Sequence, residues 1–213
     1  MKENGSMSWE SLVLPSELQI LLIRHGRTAG NIEGRFVGRT DMALDNVGLS
    51  QATKLGARFE SIKVDKVYSS PLTRAVQTAS VIAQPVVIEG LQELDQGILE
   101  GKKFDELPSG LEPFFEAWKD DPESTRIPGG ETLGECRDRA WDSMQQIISA
   151  SSLGERVVVV AHQMVIASIL LTAMNKPIRL SDEIKQKNTS ISHMRYVDGE
   201  LSVVSVGDIS HLD

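Results

Sequence analysis

Hydrophobic and polar positions along this chain switch between strand-like runs and helix-like spacing, and the switches divide it into elements. Residues 18–24 (LQILLIR) are a short, almost continuous apolar run, the pattern of a strand buried on both faces, and predict a central strand. Residues 49–59 carry apolar positions at helical spacing with Ser50 near the start, predicting a helix. A short strand is expected at 64–68. Ser70 and Pro71 then offer an N-cap and a first-turn proline for a helix running to Ala83. Residues 86–88 read as a third strand, while Pro108, Gly110, Pro113 and Pro122 break the alternation over 104–126, which reads as a helical insertion. Residues 131–148 are amphipathic and start after Pro128, Gly129 and Gly130. An apolar strand at 156–161 (RVVVVA) and a helix at 164–174 follow. Residues 190–196 and 201–206 flank Asp198 and Gly199, a hairpin signal. Strands alternating with helices imply an α/β fold with a largely parallel sheet covered on both faces.

Composition refines this only slightly. A chain of 213 residues with 40% hydrophobic and 24% charged positions suits one soluble α/β domain with an insertion. The expected organisation is a flexible N-terminal extension at 1–17 and a single domain at 18–213, within which 102–128 form a lid insertion. The extension has no apolar stretch of signal-peptide length, and no run in the chain approaches the roughly 20 apolar residues that span a bilayer. Cys136 is the single cysteine, so neither an internal disulfide nor a paired zinc-binding spacing exists. A cytoplasmic protein without membrane partners is expected.

Charge changes the picture more. The net charge of −8 argues against a nucleic-acid partner. Yet Arg24, Arg27, Arg35 and Arg39 face only one acid, Glu33, in the stretch they span. A local cationic patch in an acidic protein suits a small anion.

In open α/β sheets the ligand site lies beyond the carboxyl ends of the strands. Arg24, His25 and Gly26 close the first strand, Arg74 sits one turn into the next helix, Glu93 follows the third strand, and His162 closes the strand at 156–161. A neutral imidazole is a competent nucleophile toward phosphorus. Arg24 and Arg74 can hold phosphoryl oxygens by bidentate bonds, His162 can donate another hydrogen bond, and Gly26 would let backbone approach the group closely. Glu93, its pKa raised beside an anionic phosphate, is the general acid, with Asp95 and Glu100 as nearby competitors. The scheme needs no metal and no cofactor.

These residues lie in blocks whose order resembles the histidine phosphatase superfamily, which includes phosphoglycerate mutases: LLIRHGRTAGN at 21–31, RFVGRTDMALDNVGLSQA at 35–52, SSPLTRAVQTA at 69–79, LQELDQGILEG at 91–101, PGGET at 128–132 and VVVVAHQ at 157–163. The resemblance implies a three-layer α/β/α sandwich, His25 as the phosphorylated residue, Arg24, Arg74 and His162 as the rest of the phosphate pocket, and Glu93 as proton donor. It also implies that Asn31, Arg35 and Gly38 contact phosphate or substrate. Gln163 directly after His162, where many members have glycine, and the ELDQGILEG block favour the phosphatase branch. Gln163 either lines the substrate cavity or bonds locally at a helix start. The expected activity is metal-independent phosphomonoester hydrolysis of a small phosphorylated metabolite. A cofactor-dependent phosphoglycerate mutase and a noncatalytic phosphate-binding module are the alternatives, and a homodimer is compatible with all three. Phe114, Phe115 and Trp118 read as insertion core or as a lid over the substrate. His193 and His211 have no role visible in sequence.

Overall fold

The computed structural model describes residues 9–213. Among them, β1 (Leu18–Arg24), β2 (Lys66–Ser69), β3 (Val86–Val87), β4 (Arg156–Ala161), β5 (Ile191–Val197) and β6 (Glu200–Asp208) form one six-stranded sheet in the order β3-β2-β4-β1-β5-β6. The first four pair in parallel and the last two join antiparallel. Helices α1 (Ala29–Glu33), α2 (Asn46–Phe59), α3 (Thr73–Ser80), α4 (Glu112–Asp120), α5 (Leu133–Ser149) and α6 (Gln163–Ala173) lie between them.

The continuous apolar runs of β1 and β4 are what a two-faced sheet requires, because alternate side chains point to opposite faces. Leu18, Ile20, Leu22, Val157 and Val159 pack with Ala140 and Met144 of α5 and Ile166 and Leu170 of α6. Leu21, Ile23, Val158 and Val160 pack on the other face with Leu55 and Phe59 of α2 and Ala75 and Ala79 of α3. The result is the expected three-layer sandwich. Asp198 and Gly199 both adopt positive φ (51° and 85°), the requirement of the tight β5–β6 turn.

Several boundaries differ from the sequence reading, each for a local reason. Helix α2 begins at Asn46 rather than near Ser50, since the Asp45 carboxylate accepts from the Gly48 amide at 2.7 Å as its N-cap. Helix α3 begins at Thr73, after Leu72, and ends at Ser80. Ser70 is not its N-cap, because Leu72 holds that place; the Ser70 hydroxyl oxygen accepts from the Leu72 amide at 3.3 Å and faces His162 at 2.8 Å. The insertion contains one helix, α4, between short turns.

The expected extension at 1–17 also changes. Residues 1–8 lie outside the described residues, but 9–17 are not a loose tail. Trp9 is buried, stacks on Phe59 with ring centroids 5.3 Å apart, and donates to the Asp208 carboxylate at 3.0 Å. Glu17 is buried against Arg195 at 2.5 Å. A large aromatic with a polar handle was the sign that this segment packs. No helix among the described residues is long and apolar enough to cross a membrane.

Candidate active site

The carboxyl ends of β1 and β4 lie side by side, Arg24 in register with Ala161, so His25 and His162 emerge together with ring centroids 5.0 Å apart. Both are buried. His25 Nδ1 lies 2.7 Å from the Gly26 carbonyl oxygen, and since a carbonyl only accepts, Nδ1 carries the proton and Nε2 the lone pair. Burial, then the Arg74 and Arg24 guanidiniums, hold the His25 pKa well below its usual value. Its ring is therefore neutral and nucleophilic at Nε2.

Gly26 serves the fold rather than a phosphoryl group. A Cβ there would sit 2.9 Å from the Gly48 carbonyl oxygen, so the glycine permits the strand end to pack on α2. Its amide donates to Thr78 Oγ1 at 2.9 Å, which ties the strand end to α3.

Arg74 is buried, with Nη2 donating to the Gly38 carbonyl at 2.6 Å and Nη1 to the Thr40 carbonyl at 2.9 Å. Arg24 Nη1 donates to the Gln186 carbonyl at 2.5 Å. These bonds leave each guanidinium aimed. Arg24 Nε, Arg74 Nε and His162 Nδ1 are buried and have no hydrogen-bond partner among the described residues. An unsatisfied buried N–H costs about 1–3 kcal/mol, so polar nitrogens orphaned around one imidazole are best explained by an anion whose oxygens accept from them. His162 Nε2 faces the Ser70 hydroxyl. With Ser70 donating there, the proton stays on Nδ1, the nitrogen left free.

Glu93 is buried as well, and burial raises its pKa against the pull of two backbone amides and of Arg74 and Arg24. The cause is desolvation, and the like charge of a phosphate would push in the same direction. The Leu94 amide holds one carboxyl oxygen at 2.8 Å, and the Met164 amide in the first turn of α6 holds the other at 3.3 Å. Its two acidic competitors face elsewhere. Glu100 accepts from the amides of Gly38 (3.2 Å), Arg39 (2.6 Å) and Thr40 (3.3 Å), and Asp95 pairs with Arg39 at 3.4 Å.

Of the other expected contacts, Asn31 lies beside the site. Its Oδ1 accepts from the Thr28 amide at 3.1 Å and from Asn188 Nδ2 at 3.3 Å, and Asn188 also donates to the His25 carbonyl at 3.0 Å. Gly38 has its amide on Glu100 and its carbonyl on Arg74, so it supports the pocket through backbone bonds. Arg35 is engaged outward, with Glu33 at 2.7 Å, Glu106 at 2.8 Å and the Gly101 carbonyl at 2.8 Å. Gln163 resolves its two readings partly in favour of each. It borders a cleft of about 540 Å³ with Arg24, Lys185, Lys187 and Asn188. Its amide is bonded across that cleft, to the Ile184 carbonyl at 2.7 Å and the Gln186 amide at 2.9 Å, rather than locally in its own helix.

Two parts of the site had no sequence signal that was used. The loop 184–189 crosses the end of β1 and supplies Gln186 and Asn188; only its run of polar residues before an apolar strand marks it. Arg139 of α5 donates to the carbonyls of Gly90 (2.8 Å), Gln92 (2.5 Å) and Glu93 (3.0 Å) and pairs with Glu131 at 2.8 Å, while Glu131 accepts from the Asp95 amide at 3.0 Å. That clamp fixes both sides of Glu93. Among the described residues, no group of three or more His, Cys, Asp or Glu is gathered as metal ligands.

The family model described as histidine phosphatase superfamily (branch 1) matches residues 20–209. The "Probable phosphoglycerate mutase GpmB" of Salmonella choleraesuis (strain SC-B67) is 32% identical over 206 residues, covering 92% of this chain and 95% of that protein. Among solved structures, YhfR of Bacillus stearothermophilus superposes with a TM-score of 0.85 at 28% identity, covering 92% of this chain and all of that one. A phosphoserine phosphatase of Entamoeba histolytica shares the fold, with a TM-score of 0.83 at 24% identity, over 92% of this chain and all of its own.

Proposed function

Because this chain belongs to branch 1 of the histidine phosphatase superfamily, we propose that it is a metal-independent phosphomonoesterase that takes the phosphoryl group of a small metabolite onto His25. The observation that carries the reading is the pairing of a neutral, buried His25 with orphaned N–H groups on Arg24, Arg74 and His162. His25 Nε2 attacks phosphorus, the P–O ester bond breaks, and the Glu93 carboxylic acid gives its proton to the leaving alkoxide. The Glu93 carboxylate then takes a proton from water, the water oxygen attacks phosphorus, and the N–P bond breaks to release inorganic phosphate. The guanidiniums carry the equatorial charge in both steps.

Burial is the largest cause of both protonation states, with the Arg74 and Arg24 guanidiniums adding to it at His25. From ordinary values of 6.5 for histidine and 4.5 for glutamate, no pH would hold most His25 neutral and most Glu93 protonated together. Desolvation disfavours both charged forms, lowering the first value and raising the second, so the two move toward a shared window.

Water must reach the intermediate in a hydrolase, and that Arg24 lines a cleft of about 540 Å³ supports this. The resemblance to a protein named as a phosphoglycerate mutase supports the second reading, in which the phosphoryl group returns to the product. Incubation with 3-phosphoglycerate, with and without its bisphosphate, separates the two. Phosphate release outpacing isomerisation is expected; the reverse would sink the hydrolase reading.

A further inference from the structure

A second cavity, of about 280 Å³, adjoins the site under the insertion. Phe36, Phe114, Phe115 and Trp118 line it with Leu94 and Met164, and among the described residues Gln96 and Asp182 are the amide and carboxyl side chains on its wall. Three of the rings form a connected set, Phe114 to Phe115 at 5.0 Å and Phe114 to Trp118 at 5.8 Å between centroids. We propose that this cavity receives the alcohol portion of the substrate, and that the substrate is a monoester of a bulky apolar or aromatic alcohol without a carboxylate.

The inference rests on the phosphomonoesterase reading and extends it from position and charge. Leu94 and Met164, whose amides hold the two Glu93 oxygens, also line the cavity. The proton donor is therefore held by two residues of the cavity wall. A proton leaving Glu93 goes to the ester oxygen, so whatever that oxygen carries departs on the same side. Size permits a substantial group, since an apolar cavity of about 150 Å³ accepts benzene.

Charge decides the class. Among the described residues, the cavity wall has no Lys, Arg or His, and its one ionisable carboxyl is that of Asp182. A substrate carboxylate entering there would lose its hydration without gaining a cation, beside a like charge. The available cations, Lys185 and Lys187, border the other cleft, with Arg24. The phosphate end is thus provided with charge and the alcohol end is denied it. Pockets of this kind, mostly aromatic with few polar groups, select ligands by apolar burial.

Phosphate release from ethyl, n-hexyl and 2-phenylethyl phosphate and from 3-phosphoglycerate tests this, because all four leave as alkoxides and differ in what the cavity must hold. We expect kcat/KM to rise at least about tenfold from ethyl to n-hexyl, as added methylenes are buried, and 3-phosphoglycerate to rank below 2-phenylethyl phosphate. Trp118→Ala should shrink the hexyl-to-ethyl ratio, and Trp118→Phe should restore part of it. A flat alkyl series, a ratio unmoved by Trp118→Ala, or a preference for 3-phosphoglycerate overturns the cavity assignment and leaves the phosphomonoesterase reading standing. No release from any ester, including an activated aryl phosphate, overturns both.

Discussion

The phosphate pocket and the aromatic cavity are joined through Leu94 and Met164, which hold Glu93, but are built in opposite ways. In the pocket, most side chains are set by backbone: Arg74 by the carbonyls of Gly38 and Thr40, Arg24 by that of Gln186, His25 by that of Gly26, with His162 held by the Ser70 hydroxyl. Those backbone groups belong to the ends of parallel strands and the loops tied to them. The cavity is walled in part by Phe114, Phe115 and Trp118 of α4, which are only partly buried and pack on one another and against the core. Hydrogen bonds impose direction, whereas ring packing sets only volume and polarity. The pocket can therefore dictate one chemistry, and the cavity whose phosphate undergoes it.

The largest test of that division is His25→Ala. It removes the nucleophile from a strand end without removing core volume, so turnover of every ester, apolar or not, should fall at least about a thousandfold while the melting temperature barely moves. Steady-state phosphate release and thermal unfolding of the same preparation check both halves. A variant that kept one class of ester and lost another would mean that the pocket and the cavity are not separable.

Glu93 lies on the boundary, and Glu93→Gln should show it. An alkyl phosphate, whose leaving group needs the proton, should lose about a hundredfold or more, and an activated aryl phosphate much less. The pH profile gives a second readout. Wild-type kcat/KM should fall on the acid side as His25 gains a proton, below its usual 6.5, and on the alkaline side as Glu93 loses one, above its usual 4.5. Glu93→Gln should abolish the alkaline limb. Arg139→Gln, which loosens the clamp behind Glu93, should produce the same leaving-group dependence at about ten- to a hundredfold. Equal losses on alkyl and aryl esters would remove Glu93 from the role of acid.

How much of this was legible in sequence follows the same boundary. The sheet, its hairpin and the pairing of His25 with His162 were readable because buried parallel strands are apolar runs and because sites gather at their carboxyl ends. Arg74 and Glu93 were readable only with the motif blocks around them. What escaped depends on long-range partners that no local pattern encodes. Asp45, not Ser50, caps α2; Ser70 faces His162 and leaves the N-cap of α3 to Leu72; Arg139 reaches three carbonyls more than forty residues away in the chain. The loop 184–189 carries no motif, yet it supplies the carbonyl that aims Arg24. Burial, equally invisible in sequence, is the largest cause shifting His25 and Glu93 in opposite directions.

The smallest expected effect bears on Arg35, where resemblance and geometry disagree. Resemblance implies that it contacts substrate. In the structure its guanidinium joins Glu33, Glu106 and the Gly101 carbonyl, and so links the turn after α1 to the start of the insertion that bears the aromatic cavity. Its side chain is 27% exposed, in the range where ion pairs contribute little to stability. Arg35→Ala should therefore change kcat/KM by no more than about threefold for any ester, since the exposed pairs it loses are weak. What change occurs should fall on the hexyl-to-ethyl ratio, through the insertion, rather than on phosphate affinity. Inhibition by inorganic phosphate reads the pocket alone and should be unaltered. If the inhibition constant rose tenfold instead, Arg35 would swing from Glu33 and Glu106 to the phosphate when ligand binds, and the line between the two regions would have to be redrawn around it.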